Sequence, residues 1–113
     1  MMKSDTDTNP TTPTLEERQV LQKIPLFSVG TVVATTAVWE HFLENNIDLE
    51  DYLIRRHLKG DWGDVPHEDA VANDFAVLNG LRILSAYIAA NRRFWIITEA
   101  DRSVTTFLFP EEY

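Results

Sequence analysis

No cysteine occurs in the 113 residues. That excludes disulfides, thiol nucleophiles and Cys-ligated zinc or iron–sulfur sites, and it fits a reducing compartment. No apolar run approaches the roughly 20 residues that cross a bilayer. The opening MMKSDTDTNPTTPT has one Lys and no apolar core, so it does not read as a secretory signal. The expectation is a soluble, cytoplasmic protein with no membrane partner. The glycines form no GxSxG, P-loop or dinucleotide-binding pattern, which leaves hydrolase and nucleotide-binding readings without support. No HExxH and no EF-hand loop occurs, and neither a metal nor a cofactor is expected. Cations are outnumbered: 10 Lys and Arg face 18 Asp and Glu, for a net charge of −8. Phosphates would be repelled, so direct nucleic-acid binding is disfavoured. Acidity also serves solubility.

What is present divides the chain into a tail and one domain. Residues 1–13 are Ser, Asp, Thr, Asn and Pro with almost nothing apolar. Such a segment cannot repay its ordering entropy and is expected to be disordered. Residues 14–113 are expected to form a single α+β domain. Thr14-Leu15-Glu16-Glu17 reads as a capping box opening a short helix that Pro25 ends. Gly30 to Thr35 reads as a strand from its β-branched content. From Thr36 the period becomes helical, with Val38, Trp39, Phe42 and Leu43 on one face and Asn45-Asn46 as breaker. Asp48 caps a second helix, with Gly60 as its αL terminator. Pro66 opens a third, on which Ala70, Val71, Phe75 and Leu78 recur at helical spacing. Three alternating strands follow from Arg82. The expected architecture is one N-terminal strand, about three helices, then a three-strand antiparallel meander packed on the helices. Both strand faces are largely apolar. The face away from the helices needs cover from the N-terminal segment or a partner chain, a second copy included.

Two stretches concentrate polar chemistry. The first is the turn from Thr98 through Glu99, Asp101, Arg102 and Ser103 to Thr105 and Thr106. Its hydroxyls and forked guanidinium suit an anion or a protein partner. Turn and strand preferences explain most of these choices without a ligand, since Asp bonds its own backbone in turns and Thr favours strands. Arg102 is the member they do not explain, and Arg102→Ala is expected to cost little stability. The second stretch is Arg55-Arg56-His57-Leu58-Lys59-Gly60-Asp61-Trp62-Gly63. Cations near a helix C-terminus answer to the dipole. His57 suits either a core hydrogen bond or a general base at neutral pH. Trp62 between glycines reads as a core plug or loop anchor, so Trp62→Ala is expected to cost several kcal/mol, as for other buried aromatics. His57, Asp61, Asp64 and His67 do not have the spacing of a metal motif. The acids from Glu40 to Asp74 read as a solvated face, or as a surface that imitates a phosphate backbone.

Gly60-Asp61-Trp62-Gly63, Arg82 to Tyr87, and Ile97 to Ser103 continuing through Thr105-Thr106 to Pro110-Glu111-Glu112-Tyr113 together resemble a family of small bacterial proteins carried on plasmids and integrative elements. They go under the description "plasmid related protein". The resemblance spans about Gly30 to Tyr113. It implies a mobile-element setting and supplies no activity. At the level of element order alone, the chain also looks like the metal-independent RNase toxins of the barnase or RelE kind. On that likeness His57, Arg82, Arg102 and Thr106 would be catalytic, although the acidity departs from the pattern.

The sequence therefore supports a non-enzymatic binding or regulatory module that works on another protein. An RNase-like nuclease and a DNA-mimic inhibitor are its rivals. Thr98, Glu99, Asp101, Arg102, Ser103 and Trp62 are its candidate contact residues. An enzyme requires His57, Arg82 and Arg102 to converge in one cleft. A DNA mimic requires a continuous stripe of unpaired carboxylates.

Overall fold

The computed structural model describes residues 25–113. The expected tail over 1–13 and the helix opened at Thr14 lie outside them. Four strands form one sheet: β1 (Thr31–Ala34), β2 (Ile83–Ala89), β3 (Arg92–Thr98) and β4 (Val104–Leu108), in the order β1-β4-β3-β2. Between β1 and β2 run α1 (Thr36–Glu44), α2 (Leu49–Leu53), a 3-10 turn (His57–Lys59) and α3 (His67–Asn79). A second 3-10 turn, Pro110–Glu112, closes the chain. This is the expected α+β class, with its antiparallel meander intact. β1 adds to the meander by pairing with β4 in parallel, Val32 opposite Thr105 and Ala34 opposite Phe107. A parallel neighbour needs a long crossover, and the helices supply it.

Local signals set most boundaries. Thr35 caps α1, its hydroxyl accepting from the Val38 amide at 3.3 Å. Asn46 at φ 54° turns the chain out of α1. The Asp48 carboxylate accepts from the Glu50 amide and starts α2. The β2–β3 hairpin turns on Ala90 and Asn91, both at positive φ, as a type I′ turn requires. Gly63 sits at φ 76°, and a Cβ there would lie 2.0 Å from the Ala86 carbonyl oxygen. Only glycine lets that loop run backbone to backbone against β2.

Two helix expectations need correction. The second helix does not run from Asp48 to Gly60. It ends at Leu53, and the chain re-forms only a 3-10 turn before Gly60. The Arg56 guanidinium is drawn to Asp61 instead of the helix end, bonding its carboxylate at 2.7 and 3.2 Å. Pro66 lies just before α3, as its cap residue.

Register and alternation assign the two sheet faces. Tyr87, Phe94 and Phe107 point to the helices and pack with Val38 and Phe42 of α1 and Leu53 of α2. Phe42 meets the Phe94 ring edge-on at 5.0 Å, a favoured aromatic geometry. Trp62, Ala76 of α3 and Ile83 of β2 form a second cluster. The far face carries Leu84, Trp95, Ile97, Thr106 and Leu108. Part of its cover comes from the C-terminus. Tyr113 lies edge-on to Trp95 at 5.8 Å, and the Arg82 guanidinium stands 4.9 Å from the Tyr113 ring. Ile97 and Leu108 are buried.

The β2 edge is closed by side chain and loop. The Asn73 amide donates to the Leu84 carbonyl at 2.8 Å and accepts from the Leu84 amide at 3.2 Å. Trp62 and Asp64 do the same for Ala86 through their backbones. An edge satisfied this way cannot template another strand.

Candidate functional site

The sequence candidates fall into a buried polar chain and a surface turn. The buried chain centres on His57, held by the 3-10 turn and fully enclosed. Its Nδ1 lies 2.6 Å from the Ser85 hydroxyl of β2, and its Nε2 lies 2.9 Å from the Thr98 hydroxyl of β3. Thr98 meets the Thr105 hydroxyl of β4 at 2.8 Å, and Thr105 donates to the Val29 carbonyl at 2.8 Å. Each hydroxyl has one proton to give, which fixes the direction of every bond. Thr105 spends its proton on Val29, so Thr98 donates to Thr105. Thr98 then accepts from Nε2–H, and the bare Nδ1 accepts from Ser85. The imidazole is neutral, and all its hydrogen-bonding capacity is used. Phe27 and Trp62 press on it edge-on at 5.2 and 6.0 Å. Burial pushes its pKa down to about 3.

Ser85 beside His57 has the spacing of a nucleophile and its base. The pair lacks what that chemistry needs. Both side chains are fully buried. The group behind the imidazole is a threonine hydroxyl, where a carboxylate would be needed to stabilise an imidazolium. A shallow recess of about 200 Å³ lies elsewhere, lined by Asp69, Ala72, Asn73, Arg82 and Leu84.

The surface turn is tied down by Arg102. This residue sits at φ 62°, and the conformation sends its guanidinium back under the turn. It donates to the carbonyls of Glu99 (3.0 Å), Ala100 (3.3 Å) and Leu81 (2.7 Å), and to Ala76 in the last turn of α3 (3.0 Å). A cation there adds a charged donor to these carbonyls and complements the helix dipole. The expectation that Arg102 is dispensable for stability is therefore replaced: it fastens α3 to the β3–β4 turn. Asp101 is fully exposed, and hydrogen bonds from the Ser103 side chain and amide hold its carboxyl below the ordinary range. That is the self-bonded Asp of a tight turn. Glu99 faces Arg82 at 3.9 Å.

The four residues of the RNase-like constellation do not converge. His57 is sealed on the helix side of the sheet, and Arg102 is spent on backbone carbonyls. Arg82 lies beside Glu99 and Tyr113, and Thr106, opposite Ile97, belongs to the far face. Trp62 is buried, its indole N–H donating to Asp74 at 3.0 Å. Five of the ten acids from Glu40 to Asp74 are engaged with separate partners. Asp51, Asp61 and Asp64 pair with Arg55, Arg56 and Arg93, Asp48 caps α2, and Asp74 holds Trp62. His57, Asp61 and Asp64, close in sequence, are engaged apart. Among the described residues, no group of three or more His, Asp or Glu is placed to hold a metal ion.

Sequence reasoning missed the outer face of α3. The helix turns Asn73 and Ala76 to the sheet. At 100° per residue the opposite side carries Val71, Phe75 and Leu78. These are 53%, 58% and 84% exposed. The large apolar residues that recur at helical spacing here mark the solvent side of the helix. A signal was available in Asn73, whose amide is needed at the β2 edge and fixes which side faces in.

No family model matches the chain, and neither the curated proteins nor the solved structures contain a significant match to it. Among the described residues, no helix is long and apolar enough to cross a membrane.

Proposed function

We propose that the protein is a non-enzymatic binding or regulatory module, cytoplasmic, acting on another protein. The observation that carries this reading is an inversion. The imidazole and hydroxyls of His57, Ser85 and Thr98 are sealed and mutually satisfied, while large apolar side chains stand in solvent on α3. Sealed polar groups stabilise a fold, and exposed contiguous apolar groups mark contact surfaces. The mobile-element setting rests on the resemblance over Gly30 to Tyr113 alone. That half of the acids from Glu40 to Asp74 are engaged with separate partners favours this reading over DNA mimicry.

The test is catalytic. The purified chain is incubated with single-stranded RNA and with DNA at a large excess of substrate. No turnover is expected. Cleavage that disappears in Arg82→Ala or Thr106→Ala would overturn the proposal in favour of the nuclease reading.

A further inference from the structure

We infer that the outer face of α3 is the docking site for a basic amphipathic helix of a partner protein. The inference rests on the binding-module reading and names its surface and the chemistry of its partner.

The apolar stripe follows a helical rule. Val71, Phe75 and Leu78 are spaced i, i+4, i+7, so they line up along one side over two turns. A helix normally buries its large apolar residues and exposes its small and polar ones. α3 does the reverse, placing Ala70, Asn73, Ala76 and Val77 toward the fold. Among the described residues, no packing encloses Phe75 or Leu78. Replacing either with Glu or Lys would leave the sheet contacts of α3 as they are. A ridge of this spacing is the complement of a second helix laid along it.

Charge selects the partner. From His67 to Asn79 there are three acids, Glu68, Asp69 and Asp74, and no Lys or Arg. The helical angle puts Glu68 along one margin of the stripe, next to Phe75, while Asp74 on the other side turns its carboxylate to the Trp62 indole N–H at 3.0 Å. Both are exposed. The chain as a whole carries −8. A second copy would bring the same acids and the same net charge to the contact. A partner helix with apolar residues flanked by Lys or Arg meets apolar with apolar and the Glu68 margin with opposite charge.

The test uses a fluorescein-labelled synthetic peptide of 18 residues with a leucine stripe flanked by lysines. A scrambled peptide of identical composition has no stripe. Binding to the full chain is read by fluorescence anisotropy at low and moderate salt, and sedimentation velocity gives the oligomeric state. The striped peptide is expected to bind at least about tenfold more tightly than the scrambled one, a difference of about 1.4 kcal/mol. Phe75→Asp and Leu78→Asp should each remove that preference, with unchanged circular dichroism. Glu68→Lys should weaken binding, and added salt should weaken it further. Equal binding of both peptides, or binding unaffected by Phe75→Asp, overturns the inference. So does a concentration-dependent dimer abolished by Phe75→Asp, which would assign the face to a second copy. Peptide binding seen only after Leu21→Asp, an apolar position of the helix expected between Thr14 and Pro25, would assign it to the chain's own N-terminal segment and equally overturn the inference. All but the last of these failures leave the binding-module reading standing; cover by the chain's own N-terminal segment would also remove the observation that carries it, and the substrate-turnover test stays separate in every case.

Discussion

The interior of this domain holds a line of polar side chains, and the outside of α3 holds a line of apolar ones. The two regions invert the usual distribution for opposite reasons. Around His57, four side chains saturate one another, so a polar group in the core carries no desolvation penalty left unmet. On α3, no partner within the described residues covers Phe75 or Leu78. The contrast separates two meanings of an unexpected residue. A polar group that is fully bonded explains itself from inside the fold. An apolar group left bare points outside it.

The inside half of the comparison breaks most readily at His57 and Trp62. His57→Ala should cost about 3–5 kcal/mol, because it opens a cavity and leaves Ser85 and Thr98 each short of a partner. Trp62→Ala should cost a similar amount through loss of a buried aromatic. Chemical denaturation checks both. Native-like stability in His57→Ala would mean that the polar chain does not hold the sheet to the 3-10 turn.

Acid attacks the same chain without mutation. The pKa of His57 lies at about 3 in the fold, below its ordinary value of 6.5. The unfolded state therefore takes up the proton first as pH falls. The contribution is fully present above pH 6.5 and is lost progressively as pH drops toward about 3. The slope in that window is about 1.4 kcal/mol per pH unit from this group. Denaturation midpoints followed between pH 7 and pH 4 should show it. His57→Asn, though less stable, should show a flatter dependence over the same range.

Much of the fold was legible before any coordinates. Asp48 and Gly60 act through local geometry: Asp48 caps α2 as expected, and Gly60 takes the αL conformation, although it ends the 3-10 turn and not α2. The meander was legible because alternation with a period of two survives in β2, β3 and β4. The parallel pairing of β1 with β4 was not, because register across 70 or so residues leaves no local mark. The site was legible by residue and illegible by role. Thr98, Arg102 and His57 stood out as polar residues in apolar surroundings. Their partners are distant in sequence: Ser85 for His57, Ala76 and Leu81 for Arg102. The outward direction of the α3 stripe was not legible, because periodicity says that a helix has an apolar side and does not say which way that side points.

Arg102 joins the inner and outer regions, since it fastens the C-terminal end of α3 to the β3–β4 turn. Arg102→Ala should destabilise by about 2 kcal/mol, as carbonyls that lose a charged donor go partly unpaired. Arg102→Lys should recover little of this, because an ammonium cannot spread over carbonyls that a planar fork reaches together. Thermal melts of the three proteins decide it. An unaffected Arg102→Ala would return the guanidinium to the pool of groups free for a ligand.

The smallest effect carries the most information about the outside. Phe75→Asp should change stability by no more than about 0.5 kcal/mol, since an exposed side chain with no specific partner contributes little to folding. An aspartate on the solvent side of α3 meets no apolar neighbour that it must desolvate. The same substitution at Phe42, fully enclosed between α1 and the sheet, would unfold the domain. If Phe75→Asp instead lowers the denaturation midpoint as a core substitution does, then part of this chain packs on the α3 stripe and the face is interior. If the midpoint stays put while solubility rises, the phenylalanine serves no folding purpose. A large apolar side chain kept in water without such a purpose is best explained by the partner that removes it from water.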